Sequence, residues 1–225
     1  MEDRVIRIHR AGPCALYVQV GEEISEPVND EVLRLSSAIR HGVGQGVTDV
    51  VPGYTDVYVE FDPLVWSLSS LQDAILKAAV RFEPRSRPRL IRLPVRYGGE
   101  FGPDLPDVAS LAGLSQQEVV DIHTAGLYRV YFLGFTPGFA FLGGMDARIA
   151  TPRLARPRLR VPGGSVGIGG EQTGVYPMDS PGGWRIIGRT RIRLYRAGNP
   201  DPVLLRPGDL VRFVPEAGAV DVGRA

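Results

Sequence analysis

The chain has 225 residues, and its 26 Lys and Arg residues nearly balance its 25 Asp and Glu residues, which leaves a formal net charge of +1. This balance gives no electrostatic basis for binding nucleic acid or a membrane surface. The 28 glycines and 19 prolines weaken helix interiors, and they favour short strands joined by turns over a helix bundle. A hydrophobic content of 44% argues against a disordered chain.

Several kinds of site are excluded by the residue types that the chain lacks. Cys14 is the single cysteine, so no disulfide and no cysteine-rich metal site forms within one chain. The 3 histidines are far apart without metal-ligand spacing, so we expect no metal ion. Lys77 is the single lysine, and no glycine-rich phosphate loop surrounds it. No secretion signal opens the chain, and its longest uncharged apolar stretch, 130–145, is interrupted by proline and glycine; we expect a soluble, cytoplasmic protein.

Residues 1–88 are predicted to form an N-terminal α+β domain. In chain order, the elements are strands at 4–9 and 15–20, a helix ending near Gly42, strands at 49–51 and 56–61, and a second helix starting at Ser70. The first helix is amphipathic, because its apolar residues recur every three or four positions at Val28, Val32, Leu35 and Ile39. Strands interleaved with two helices indicate a small ferredoxin-like sandwich. The polar segment 83–89 is the predicted linker.

Residues 89–225 have a different pattern and are predicted to form a β-barrel domain. One helix is marked by a capping box, in which Ser115 and Glu118 are three residues apart. The continuous apolar stretch 127–135 is typical of a buried strand. Further short strands, each bounded by turn residues, are predicted at 185–187, 190–195, 203–205 and 210–214. Many short strands with regular turns favour a barrel, which leaves no exposed sheet edge.

A glycine-rich segment, 163–170, is the main candidate for binding an anion. Five of its residues are glycine, and their backbone N–H groups can form a concave anion site. The stretch 147–170 contains five arginines and no acidic residue, so it would attract a carboxylate, a phosphate or an acidic partner. The alternative is a solvated loop whose glycines serve tight turns. Ser165 matches the GxSxG pattern of a nucleophile, but no histidine follows it in the chain.

Other polar and aromatic residues have a structural and a functional interpretation. His123, near the end of the capped helix, is either a half-buried histidine favoured by that helix terminus or a proton donor in a cleft. Alternation from 189 to 195 places Arg189, Arg191 and Arg193 on one face, which is either solvated or a docking surface for an acidic partner. Trp184 follows a glycine-rich loop and is expected near the surface, where it would line a pocket or a partner groove.

The motifs from 94 onward resemble those of one protein family. They are PVRYGG (94–99), GPDL (102–105), FLGFTPGFAFLGG (132–144), VPGGSVGIGG (161–170), QTGVYP (172–177) and SPGGW (180–184). The family is variously called allophanate hydrolase subunit 1, the B subunit of 5-oxoprolinase and the sporulation-kinase inhibitor KipI. The resemblance covers most of residues 5–215.

The resemblance implies a cyclophilin-like barrel after the N-terminal domain and an enzyme built from several subunits. The expected partners are a homologous barrel subunit of the C type and a third subunit of the A type. Their complex hydrolyses the lactam 5-oxo-L-proline to L-glutamate with ATP as cofactor. Two alternatives implied by the family are a KipI-type inhibitor that binds a sensor histidine kinase and subunit 1 of a urea- or allophanate-processing assembly.

A site hypothesis follows from this chemistry, since activating a lactam carbonyl with phosphate requires anion contacts and an acid–base group. His123 is the predicted catalytic residue. The predicted substrate- and anion-binding residues are Arg160, Gly163, Gly164, Ser165, Gly169, Gly170, Gln172, Tyr176 and Trp184.

Overall fold

The computed structural model describes residues 6–81 and 88–221, and the chain divides into two compact units, Met1–Arg87 and Pro88–Ala225. The domain boundary expected from the sequence lies between residues 88 and 89, one residue after the division between these two units. Most of the predicted linker 83–89 and the start of the predicted strand 4–9 lie outside the described residues. Within the described ranges, no helix is long and apolar enough to cross a membrane.

The first unit contains a four-stranded antiparallel sheet and two helices. Its elements are β1 (Arg7–Gly12), β2 (Ala15–Gln19), α1 (Glu26–Gly42), β3 (Val47–Pro52), β4 (Asp56–Phe61) and α2 (Leu68–Arg81). The strand order is β1-β2-β4-β3. The apolar stripe predicted on α1 is confirmed, because Val32, Leu35 and Ile39 are fully buried against residues of the sheet such as Leu16 and Val59.

The ferredoxin-like arrangement of this unit is not confirmed. Its described elements follow the order ββαββα, whereas a ferredoxin-like sandwich follows βαββαβ. The second helix also begins two residues earlier than predicted. The hydroxyl of Ser67 accepts a hydrogen bond from the Ser70 N–H at 3.2 Å, so Ser67 satisfies a free donor at the start of α2.

The second unit is built around a closed seven-stranded barrel, as the sequence predicted. Its elements are β5 (Leu90–Gly98), α3 (Leu105–Ala112), α4 (Gln116–Ala125), β6 (Tyr128–Leu133), β7 (Ala140–Gly143), a 3-10 turn (Ala147–Ile149), β8 (Arg158–Val161), β9 (Ser165–Gly169), β10 (Gln172–Val175), β11 (Ser180–Gly182), β12 (Arg185–Arg189) and β13 (Leu210–Asp221). The barrel order is β10-β7-β6-β13-β5-β12-β9, and β8 pairs separately with β11. The likeness of the barrel to cyclophilin stays a prediction.

Local residue types mark the start of α4 and the end of α3. The capping box before α4 is confirmed: the Ser115 hydroxyl accepts from the Glu118 N–H at 3.2 Å, and the Glu118 carboxylate accepts from the Ser115 N–H at 2.7 Å. The sequence did not predict α3, a helix of 8 residues with proline in its first turn. Gly113 ends α3 in the left-handed conformation, with φ of 67°.

Two of the predicted strands are wrong, and one is too long. Residues 190–195 and 203–205 share a single bridge, between Tyr195 and Val203, and form no strand. The chain leaves the barrel at Thr190, whose N–H donates to the Gly164 carbonyl at 2.8 Å. The strand predicted at 127–135 ends at Leu133, because Phe135 adopts a positive φ of 66° in the turn that follows.

Candidate functional site

His123 lies inside the barrel domain with no exposed surface. Its Nε2 is 2.9 Å from the Thr173 hydroxyl, and its Nδ1 is 2.8 Å from the Tyr97 hydroxyl. The Thr173 hydroxyl donates its hydrogen to the Gly167 carbonyl at 3.0 Å, so Nε2 of His123 donates to Thr173. Nδ1 therefore accepts from Tyr97. The carbonyl of His123 accepts from the Tyr128 hydroxyl at 2.7 Å, so this residue connects α4 to strands β5, β6 and β10.

Burial also decides the charge of His123. The ring packs against Phe213, with 4.5 Å between the ring centroids. Loss of hydration lowers the pKa of His123 to about 3, which keeps the imidazole neutral near pH 7. A neutral ring with both nitrogens bonded to protein groups orients the strands around it. Proton transfer to a ligand would require the barrel to open. Full burial and the two ring hydrogen bonds therefore favour a positioning role for His123.

The glycine-rich segment 163–170 forms a turn and then strand β9. The N–H of Gly163 donates to the Asp179 carboxylate at 2.8 Å, that of Gly164 to the Tyr176 carbonyl at 2.7 Å, and that of Ser165 to the Pro162 carbonyl at 3.2 Å. These three donors are used within the fold, so an anion that binds at Gly163 would have to displace the Asp179 carboxylate. Gly164 has φ of +85°, and a Cβ there would lie 2.3 Å from the Thr190 carbonyl oxygen.

The turn at Gly163 binds a carboxylate of the same chain, that of Asp179. Arg160 is exposed, with 77% of its side chain accessible, and it binds the Asp179 carboxylate through Nε at 2.8 Å and Nη2 at 2.6 Å. The Gly163 N–H and then the Arg160 guanidinium lower the pKa of Asp179. The stretch 147–170 contains no acidic residue, but acidic residues elsewhere pair with three of its arginines: Asp179 with Arg160, Asp104 with Arg158 and Asp146 with Arg148.

The remaining predicted residues lie in or beside the barrel wall. Gly169 and Gln172 pair with each other in the antiparallel register of β9 and β10. The Gly170 N–H donates to the Thr151 carbonyl at 2.7 Å. These positions close the turn between the two strands, where their backbone groups stabilise the wall.

Tyr176 and Trp184 belong to a buried aromatic cluster. Both rings are 5.5 Å from the ring of Phe139, measured between centroids and in edge-to-face geometry. The expectation that Trp184 lies near the surface is wrong, because only 6% of it is exposed. A Cβ at Gly169 would lie 2.5 Å from the indole, so that glycine provides the space in which the ring is buried. Burial also raises the pKa of Tyr176.

The second unit has an open cavity of about 620 Å³ whose lining is rich in arginine. We call it the arginine cavity, and it is lined by Arg96, Phe101, Gly163, Gly164, Pro177, Arg189, Thr190, Arg191, Ile192, Arg193 and Tyr195. Of the predicted anion-binding residues, Gly163 and Gly164 are in this lining. The three alternating arginines 189, 191 and 193 all line it, although β12 ends at Arg189 and residues 190–195 form no strand. Arg96 and Phe101 were missed, because nothing nearby in the sequence connects them to the others.

The four arginines differ in how far the fold already uses them. Arg96 pairs with Glu216 at 2.5 Å, and its guanidinium carbon lies 5.4 Å from the centroid of the Phe101 ring. Arg189 donates from Nε to the Gly163 carbonyl at 3.2 Å. Arg191 and Arg193 are exposed, and within the ranges 6–81 and 88–221 neither forms an ion pair. Among the residues that the structure describes, no acidic side chain lines the cavity, so it attracts anions.

Comparison with known proteins gives one family model and relatives that share one name. A family model described as carboxyltransferase domain, subdomain C and D, matches residues 6–205. The B subunit of 5-oxoprolinase from Bacillus subtilis (strain 168) is 44% identical over 220 residues, which covers 92% of this chain and 92% of that protein. The B subunit of 5-oxoprolinase from Escherichia coli O157:H7 is 46% identical over 217 residues, covering 95% and 98%.

A solved structure shows the same architecture. The crystal structure of TTHA0988 matches with a TM-score of 0.80 at 41% identity. The match covers 91% of this chain but 40% of the solved chain, so this chain spans about two fifths of that protein.

Proposed function

The chain belongs to the carboxyltransferase subdomain C and D family, and from this premise we propose that it is the B subunit of an ATP-dependent 5-oxoprolinase. The complex would hydrolyse 5-oxo-L-proline to L-glutamate with ATP as co-substrate. The observation that carries the proposal is the identity of 44% and 46% to two proteins named as the B subunit of 5-oxoprolinase, each over more than nine tenths of both chains. The matches therefore include most of this chain and most of each relative.

The name of those relatives supports a multi-subunit assembly. As partners we propose a homologous barrel subunit of the C type together with a third subunit of the A type. A lactam carbonyl is a weak electrophile, so its activation by ATP requires contacts to a phosphate and to the substrate carboxylate. The exposed arginines of this chain supply such contacts, whereas its buried His123 suits a positioning role.

The predicted site residues contribute to this proposal in two ways. Arg160 is exposed enough to exchange the Asp179 carboxylate for that of a ligand, which keeps it a candidate for substrate binding. Gly163 and Gly164 shape the floor of the arginine cavity. The wall and core of the barrel contain the other predicted residues, Ser165, Gly169, Gly170, Gln172, Tyr176 and Trp184. Of these, Tyr176 holds the cavity lining directly, because its carbonyl accepts the Gly164 N–H at 2.7 Å.

Reconstitution tests the proposal. The chain is co-expressed with the A-type and C-type proteins of its own source, the complex is purified, and glutamate release from 5-oxo-L-proline is measured with and without ATP. We expect turnover only with ATP and only when this chain is present. Failure of the three proteins to co-purify, or a stable complex without turnover, contradicts the proposal. Tight binding to the helical domain of a histidine kinase without turnover would favour the inhibitor function instead.

A further inference from the structure

We propose that the arginine cavity binds a small organic phosphate, with the phosphate group held by Arg189, Arg191 and Arg193. This inference is argued from the geometry of the cavity; it deepens the proposed function, on which it rests for the need of a phosphate contact. Two of the three guanidiniums have no ionic partner among the described residues, so they bind a ligand without first releasing a carboxylate.

The number of arginines favours phosphate over carboxylate. One guanidinium satisfies a carboxylate through two parallel hydrogen bonds, and the two charges then cancel. Four arginines line this cavity, and Glu216 neutralises one of them. Phosphate carries more charge and more acceptor oxygens than a carboxylate, so it uses the donors of several guanidiniums at once.

The remaining lining indicates an organic body on the phosphate. Phe101, Pro177, Ile192 and Tyr195 lie in the same cavity as the arginines. The volume of about 620 Å³ is within the ordinary range for small-molecule sites and exceeds the need of a lone phosphate. Apolar and aromatic side chains beside a cationic group suit a ligand with one charged end and one flat or apolar end.

Hydrogen bonds of Thr190 fix the backbone next to Arg189 and Arg191. The Thr190 N–H donates to the Gly164 carbonyl at 2.8 Å, and the Thr190 hydroxyl accepts from the Ile192 N–H at 3.2 Å. Thr190 is buried, with 4% of its surface exposed. Its two hydrogen bonds therefore fix the start of the segment that carries Arg191 and Arg193. The two side chains are therefore presented from a fixed backbone, which lowers the entropy cost of binding.

The test measures binding to the isolated full-length chain by calorimetry, with AMP, inorganic phosphate and L-glutamate as probes. We expect AMP to bind more tightly than inorganic phosphate, and L-glutamate to bind at least about tenfold more weakly than AMP. The Arg191→Ala/Arg193→Ala double variant is expected to lose AMP affinity by at least about tenfold. Arg206→Ala is the matched control: Arg206 is an exposed arginine paired with Asp201 outside the cavity, and AMP affinity should be unchanged.

Three outcomes overturn the proposal: no binding of either phosphate probe by the wild-type chain, unchanged AMP affinity in the double variant, or equal affinity for L-glutamate and AMP. In the first of these cases, loss of association with a partner protein in the double variant would identify the arginines as a docking surface for an acidic partner. Thermal unfolding of each variant confirms that the fold is retained. Glutamate release by the complex is a separate measurement, so failure here is distinguishable from failure of the 5-oxoprolinase assignment.

Discussion

His123 donates from Nε2 to the hydroxyl of Thr173 at 2.9 Å, although the two residues are 50 positions apart in the chain. This bond joins α4 to strand β10 inside the barrel domain. Because the ring is fully buried and bonded at both nitrogens, its removal leaves a cavity and takes away the acceptor of the Tyr97 hydroxyl, whereas the Thr173 hydroxyl keeps its bond to the Gly167 carbonyl.

We expect the His123→Ala variant to lose about 2–4 kcal/mol of unfolding free energy, from the lost ring volume and the unpaired Tyr97 hydroxyl. Urea unfolding followed by circular dichroism measures the change. His9→Ala, at an exposed histidine, is the control and should change the unfolding free energy by less than about 0.5 kcal/mol. A His123→Ala protein of wild-type stability that lacks turnover in the complex would instead support the predicted catalytic role.

The stability of the chain should fall on the acid side of neutrality partly because of His123. Its pKa is about 3 in the folded chain and about 6.5 when unfolded, so the unfolded state binds an additional proton between these values. This contribution is fully present above about pH 6.5 and decreases as the pH falls, by about 2 kcal/mol between pH 7 and pH 5.

Urea unfolding at pH 7 and pH 5 checks this pH dependence against a His123→Gln variant, which lacks the titrating ring. The wild-type protein should lose about 2 kcal/mol more than the variant over that interval. An equal loss in both proteins would show that His123 takes up its proton in the folded state.

Asp179, rather than Arg160, should protect the Gly163 amide from hydrogen exchange. The Asp179 carboxylate accepts the Gly163 N–H directly, at 2.8 Å, whereas Arg160 contacts only the carboxylate. We therefore expect Asp179→Ala to accelerate hydrogen exchange of the Gly163 amide, and Arg160→Ala to leave it close to the wild-type rate. Amide exchange measured by NMR separates the two. Equal acceleration in both variants would mean that the ion pair, and not the single hydrogen bond, holds the turn.

Gly164 should tolerate alanine less well than Gly170, although both have positive φ. A Cβ at Gly164 would lie 2.3 Å from the Thr190 carbonyl oxygen, whereas a Cβ at Gly170 would have no neighbour within 4 Å. Gly170→Ala thus costs only the strain of the left-handed conformation, about 1 kcal/mol. Gly164→Ala should cost clearly more and weaken AMP binding, since the segment above it must move. Similar losses of unfolding free energy in the two variants would contradict this account.

Much of the fold was predictable, because many signals are local in the chain. The spacing of Val32, Leu35 and Ile39 predicts the buried face of α1, and Ser115 with Glu118 predicts the start of α4. Residues 190–195 were misassigned as a strand because alternation reports which side a residue faces, and an extended segment without strand partners alternates in the same way.

The candidate site was less predictable, since its properties depend on contacts between distant residues. The arginine-rich stretch associates Arg160 with an anion, but nothing in it shows that Asp179 is that anion. Alternation places Arg189, Arg191 and Arg193 on one face, but it gives no signal for Arg96. Arg96 lies beside Arg189 because strands β5 and β12 pair at these two residues.

The sequence by itself determined that the chain is an α+β protein with a barrel after a smaller N-terminal part, and it identified the family from the motifs at 94–184. These conclusions depend on periodicity, capping and turn residues, which act between near neighbours. Only the tertiary structure decided that His123 and Trp184 are buried and that four arginines meet at one cavity. Burial and charge depend on which strands become neighbours when the barrel closes, and one residue's position in the chain does not contain that information.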